Sequence, residues 1–281
     1  MESRRAQLAV VVIMLGGVCS SLAFALSPMG PPKAMFGEGR WAAGFGYAHQ
    51  AMDLDLSGKV RENLGSGWLT ADYTKYKIKN LTSNTFLGIL GYGVRDNWDA
   101  FVHIGAADAK DEIAETLGCG RPGNRYYGYS GNYGPAWGFG TRTTICQEAN
   151  LSWGGLFQIT WSEPDSSNIR LRGDSAFSGD FELDFWEIQI AAGPTLQLDG
   201  FSIYGGPFSH FVKGDFNLKG TTVDSMSVTQ LVRSKGEIRE ESIFGAYGGV
   251  QWDIAENTSW YAEYQLTGDA YGIGVGVVWK F

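Results

Sequence analysis

Few residues in this chain have types and spacings suited to chemistry. Its 281 residues include three histidines, His49, His103 and His210. No two share a ligand spacing such as H-x-x-x-H, so no metal site is expected. Ser209 and His210 are adjacent, and neighbouring side chains of a strand point to opposite faces, which argues against a nucleophile–base pair. No glycine run has the form of a phosphate loop, and no cofactor is implied. A polar set is more informative. Asp99, His103, Arg142, Gln158, Glu187, Gln189, Tyr247, Gln251, Glu263 and Gln265 share one parity of segments whose other parity is apolar. Such residues could line a water-filled passage for small solutes, or knit into a hydrogen-bonded plug. A buried charge without a partner is costly, so Arg142 is expected to pair with Glu187 or Glu263.

The elements that would position this set are strands. Side chains of a strand alternate between two faces. Trp98, Ala100, Val102, Ile104 and Ala106 form one apolar face, with Asp99, Phe101 and His103 on the other. Leu151, Trp153, Phe157, Ile159 and Trp161 oppose Ser152, Gln158 and Thr160. Trp186, Ile188, Ile190 and Ala192 oppose Glu187 and Gln189, and Trp260, Ala262, Tyr264 and Leu266 oppose Tyr261, Glu263 and Gln265. Reading on in this way gives ten strands, at about 39–56, 76–95, 98–107, 136–147, 151–162, 182–194, 201–213, 242–253, 258–267 and 270–281. The faces of the seventh are ambiguous. Connections near 95, 148, 198 and 256 are short, and those at 57–75, 108–135, 163–181 and 214–241 read as long polar loops. Forty glycines are about twice the usual share. The net charge of −8 argues against nucleic acid as a partner.

The ends of the chain sharpen this reading. In the last strand Tyr271, Ile273, Val275, Val277, Trp279 and Phe281 share one parity, while Ala270, Gly272, Gly274, Gly276, Val278 and Lys280 share the other. An apolar edge strand tipped with an aromatic invites aggregation unless a barrel closes over it and turns that face to lipid. A strand of this pattern that stops on Phe resembles the C-terminal signature of bacterial outer-membrane β-barrels. The resemblance implies a Gram-negative-type envelope, insertion by the outer-membrane assembly machinery, and contact with outer-membrane lipid. At the other end, Arg4 and Arg5, the apolar run Leu8 to Leu15 and Ala23-Phe24-Ala25 read as a cleaved signal peptide over 1–25. Residues 26–38, rich in Pro and Gly, are then a periplasmic lead-in, and 39–281 the barrel. With both ends periplasmic, Trp41, Trp98, Trp153, Trp252, Trp260 and Trp279 fall in one ring, as an interfacial girdle does.

The expected fold is therefore all-β, a closed antiparallel transmembrane up-and-down β-barrel of about ten strands, with eight or twelve as alternatives. Export and the two cysteines beyond the signal, Cys119 and Cys146, suggest a disulfide. The strand order instead separates them, one in an external loop and one near the periplasmic end, and favours free thiols. Omptin-type outer-membrane proteases also have ten strands, and their Asp-Asp and His-Asp couples direct attention to Asp53, Asp55 and His210. Residue 208 is Phe where that pattern implies Asp, so no catalytic residue is assigned and no enzyme activity is expected. The stretch from Gly140-Thr141-Arg142-Thr143-Thr144-Ile145-Cys146 through Gly154-Gly155-Leu156-Phe157-Gln158 to Pro164 resembles chlamydial major outer-membrane porins. The leading expectation is a narrow porin-like transport channel. The alternative is a structural or adhesion barrel acting through loops 108–135 and 214–241, with oligomeric state left open.

Overall fold

A computed structural model describes residues 26–63, 68–115, 125–164, 167–172, 176–223, 229–240 and 243–281. The signal segment 1–25 and Cys119 lie outside these described residues. The strands are β1 (Trp41–Asn63), β2 (Trp68–Arg95), β3 (Trp98–Ala107), β4 (Lys110–Glu115), β5 (Arg125–Ser130), β6 (Gly134–Glu148) and β7 (Leu151–Ser162). They continue with β8 (Ser167–Arg172), β9 (Ala176–Leu198), β10 (Phe201–Val223), β11 (Thr229–Arg239), β12 (Phe244–Ala255), β13 (Thr258–Thr267) and β14 (Ala270–Lys280).

Two closed rings share this sheet. Ten strands, β1-β2-β3-β6-β7-β9-β10-β12-β13-β14, close through the antiparallel pairing of β1 with β14. Toward the external end β1, β2, β9 and β10 run on and take new partners. They join β4, β5, β8 and β11 in a second ring of eight, β1-β2-β4-β5-β8-β9-β10-β11. The four segments expected as long loops are therefore largely strand. β1 spans 23 residues, where crossing a bilayer takes roughly 9–11.

Strand β9 shows where the environment changes. From Phe181 to Thr195 its odd-numbered residues face inward. In the ten-strand ring these are Glu187 and Gln189, and in the eight-strand ring Phe185, Leu183 and Phe181, all buried. Outward, Trp186, Ile188 and Ile190 give way to Asp184, Glu182 and Asp180. β10 repeats the inversion, with outward Ile203 and Phe211 followed by Lys213, Asp215 and Lys219, and inward His210 followed by Val212 and Phe216. An apolar exterior around a polar lumen suits lipid. A polar exterior around a dry core suits water. The molecule is thus a transmembrane β-barrel carrying an eight-stranded crown, whose apolar interior is continuous with buried residues of the ten-strand ring such as Leu156, Tyr204 and Tyr247. Leu54, Leu56, Ile78, Leu81, Leu183, Val212, Phe216 and Ile238 pack together in that interior.

Acidic residues mark the junctions where strands exchange partners. β1 leaves β14 near Asp53, whose amide bonds the Asp269 carbonyl and whose carboxylate accepts the Asn80 amide at 2.9 Å. Asn80 lies at φ 60°, in an irregularity between Lys79 and Thr82. Between β3 and β4, Asp108 accepts the Asn84 backbone amide and side chain at 2.6 and 3.0 Å and pairs with Lys110 at 3.0 Å. That carboxylate raises the pKa of the external Lys110. Asp53 thus serves the junction at which β1 leaves β14.

Candidate functional site

The site is the lumen of the ten-strand ring, and it is occupied. Residues 26–38, expected as a periplasmic lead-in, instead run up inside the barrel. Gly39 and Phe281 mark one end of the barrel, the end read from the sequence as periplasmic: the Gly39 amide bonds the Gly93 carbonyl, and Phe281 exchanges two backbone hydrogen bonds with Trp41. From there the segment rises against the wall to Leu26, which is 0% exposed. A segment without periodicity has no ladder of its own, so its backbone groups need partners from the wall.

The wall supplies them at each level. Asp99 accepts the amides of Met35 at 2.5 Å and Phe36 at 3.3 Å. Thr144 Oγ1 accepts the Ala34 amide. Arg142 donates to the Met29 carbonyl at 2.8 Å and lies 4.8 Å from the Phe101 ring centroid. Glu263 accepts the amides of Met29 at 2.5 Å and Gly30 at 2.7 Å, together with the Tyr204 hydroxyl and Gln265 Nε2. Two successive amides reach one carboxylate because Gly30 adopts φ 70°, a conformation that costs glycine little. Gln158 and Gln265 both donate to the Ser27 carbonyl, and Gln189 links them side chain to side chain. Glu187 accepts from Ser27 Oγ at 3.2 Å and Gln50 Nε2 at 2.9 Å.

All ten polar residues singled out from the sequence are buried. Six of them (Asp99, Arg142, Gln158, Glu187, Glu263 and Gln265) bond directly to residues 27–36, and Gln189 bridges two of those. The other three hold the wall: His103 meets Thr160 Oγ1 at 3.1 Å, Gln251 donates to Asp253, and the Tyr247 ring packs on Tyr204 and Phe208. The expected pairing of Arg142 with Glu187 or Glu263 is not formed. Among the described residues Arg142 meets a peptide carbonyl, the Met35 sulfur and an aromatic face, because the inserted segment lies between it and the carboxylates. Lys33, near the periplasmic mouth, donates to Gln197 at 3.1 Å.

The six tryptophans lie on the outer surface toward the periplasmic end. Trp41, Trp98, Trp153 and Trp279 are exposed there, and Trp252 stacks on Trp260 at 5.0 Å. On β14 the buried Gly272, Gly274 and Val278 alternate with the outward Tyr271, Ile273, Val275, Val277 and Trp279. Cys146 is free and exposed. No cluster of metal-ligand side chains occurs among the described residues.

The partner of one named residue, His210, escaped the sequence reading. His210 faces inward, 0% exposed, with Nδ1 2.7 Å from Glu240 Oε2 and Nε2 4.0 Å from Glu187 Oε2. Glu240 follows β11, 30 residues beyond His210, in a segment read as loop. A partner so placed leaves no mark in local periodicity. Among the described residues this carboxylate–imidazole arrangement is buried, with side chains 0–4% exposed.

No protein-family model matches the chain, and no curated protein matches it. Solved structures of similar architecture include the outer membrane protease OmpT from Escherichia coli, at 10% identity and a TM-score of 0.47, covering 88% of this chain and 99% of that one. The translocator domain of the autotransporter NalP from Neisseria meningitidis aligns at 14% identity and TM-score 0.40, over 100% of this chain and 98% of its own. An outer membrane channel from Pseudomonas putida F1 aligns at 12% identity and TM-score 0.33, over 92% and 100%.

Proposed function

We propose that this protein is a non-conducting outer-membrane scaffold that holds a rigid crown of strands outside the cell for contact with other molecules at the surface. The carrying observation is the occupied lumen: residues 27–36 are hydrogen-bonded to the wall at successive levels, where an open channel would hold water. The crown supports the same reading. Its apolar interior fixes the external strands, and loops held on a rigid scaffold suit recognition. Non-enzymatic action fits the enclosure of His210.

Planar-bilayer recordings test this reading. The folded mature protein is expected to be electrically silent, and a variant lacking residues 26–36 to show conductance steps. Stable steps from the intact protein, with ion selectivity altered by Glu187→Gln, would overturn the proposal in favour of a narrow porin-like channel.

A further inference from the structure

The cluster at the top of the lumen sets one imidazole between two carboxylates. Glu187, His210 and Glu240 have side chains 0–4% exposed. Beyond the 2.7 Å contact between His210 Nδ1 and Glu240 Oε2, neither Glu240 oxygen has a further hydrogen-bond partner among the described residues. Among the described residues no Lys or Arg forms an ion pair with either carboxylate. Even with a protonated imidazole, two carboxylates leave one net negative charge in a buried place, which costs several kcal/mol unless it is paired.

One group of this chain arrives at that level. Ser27 Oγ is 3.2 Å from Glu187 Oε2, so the nitrogen of Leu26 is one residue from the cluster. Leu26 itself belongs to the same buried apolar cluster as Met52, Leu54 and Phe185. As part of a peptide bond that nitrogen has one donor and no charge. As a chain terminus it has three donors and a positive charge.

We propose that the mature chain begins at Leu26, and that its α-ammonium is the cation held by Glu187, His210 and Glu240, locking the inserted segment in the barrel. The small-x-small pattern Ala23-Phe24-Ala25 places a signal-peptidase cut at this bond. In that hydrolysis water adds to the Ala25 carbonyl, the C–N bond breaks, Ala25 leaves as a carboxylate, and the Leu26 nitrogen takes up a proton. The barrel then folds around a terminus already made. This assignment is independent of what the crown binds and of whether the lumen conducts.

Three measurements test it on protein exported and purified from outer membranes. The intact mass should correspond to a chain starting at Leu26; a different start overturns the assignment. An amine reagent selective for the α-amine should modify the folded protein roughly tenfold more slowly than the urea-unfolded protein; equal rates would overturn it. Finally, refolded chains acetylated only at the α-amine should lose about 4 °C in Tm, and the same acetylation in Glu240→Gln should cost clearly less. Equal losses in both backgrounds would mean that the ammonium and Glu240 are not coupled. If Glu240→Gln fails to refold, the mass and labelling results on the natural chain still decide.

Discussion

Glu263 Oε2 accepts the amide proton of Gly30 at 2.7 Å, across 233 residues of sequence. Its other oxygen accepts the Met29 amide. One carboxylate on β13 thereby satisfies two consecutive backbone donors of a segment that has no secondary structure of its own. Glu263→Ala leaves both amides and the Tyr204 hydroxyl without an acceptor, and each buried orphan costs about 1–3 kcal/mol. A loss of about 3 kcal/mol or more is expected in urea unfolding. Hydrogen exchange at Met29 and Gly30 should accelerate while the strands stay protected.

At Gly91 the wall has no side chain where the Phe36 ring lies, and a Cβ built there would overlap that ring. Gly91→Val is therefore expected to expel the periplasmic part of the segment and leave the barrel closed. Faster hydrogen exchange confined to residues 33–37 is the expected readout. Unchanged exchange there would mean that the ring has room to move.

The crown is closed by its own strand pairings and should respond separately from the membrane ring. Phe216 packs against Phe181 with ring centroids 6.0 Å apart, both inside the eight-strand ring. Phe216→Ala should cost about 3–5 kcal/mol. Proteolytic nicking near β11 should appear before the ten-strand ring opens, detected as cleavage of protein whose heat-modifiable gel mobility is unchanged.

Cys146, exposed near the girdle of tryptophans, reports orientation. In a Cys119→Ser background, a membrane-impermeant maleimide is expected to spare whole cells and to label cells whose outer membrane has been permeabilised. Labelling of intact cells would reverse the assignment of the two barrel ends.

Closure depends on the last residue. Phe281 donates its amide to the Trp41 carbonyl and accepts the Trp41 amide, ending the β1–β14 seam. The aromatic terminus is also the feature that resembles an assembly signal. Deleting Phe281 should lower the amount of folded barrel in the outer membrane, measured by heat-modifiable mobility, more than Phe281→Tyr does.

The sequence by itself determined the ten-strand ring, its inward polar set and its apolar exterior, because alternation with period two is a local property that the closed barrel preserves. It did not reveal the crown. Alternation continues through 176–185 and 211–223, but which parity faces water depends on whether lipid or solvent surrounds the ring, and Phe181, Leu183 and Phe185 look alike in either case. Nor did it reveal the occupied lumen. Residues 26–36 carry no periodicity, and their partners Glu187, Glu263 and Arg142 lie 113 to 234 residues away. Only tertiary structure brings such groups together. The same distance explains why Arg142, expected beside a carboxylate, meets a peptide carbonyl: the inserted backbone, invisible to strand patterning, is the nearer acceptor.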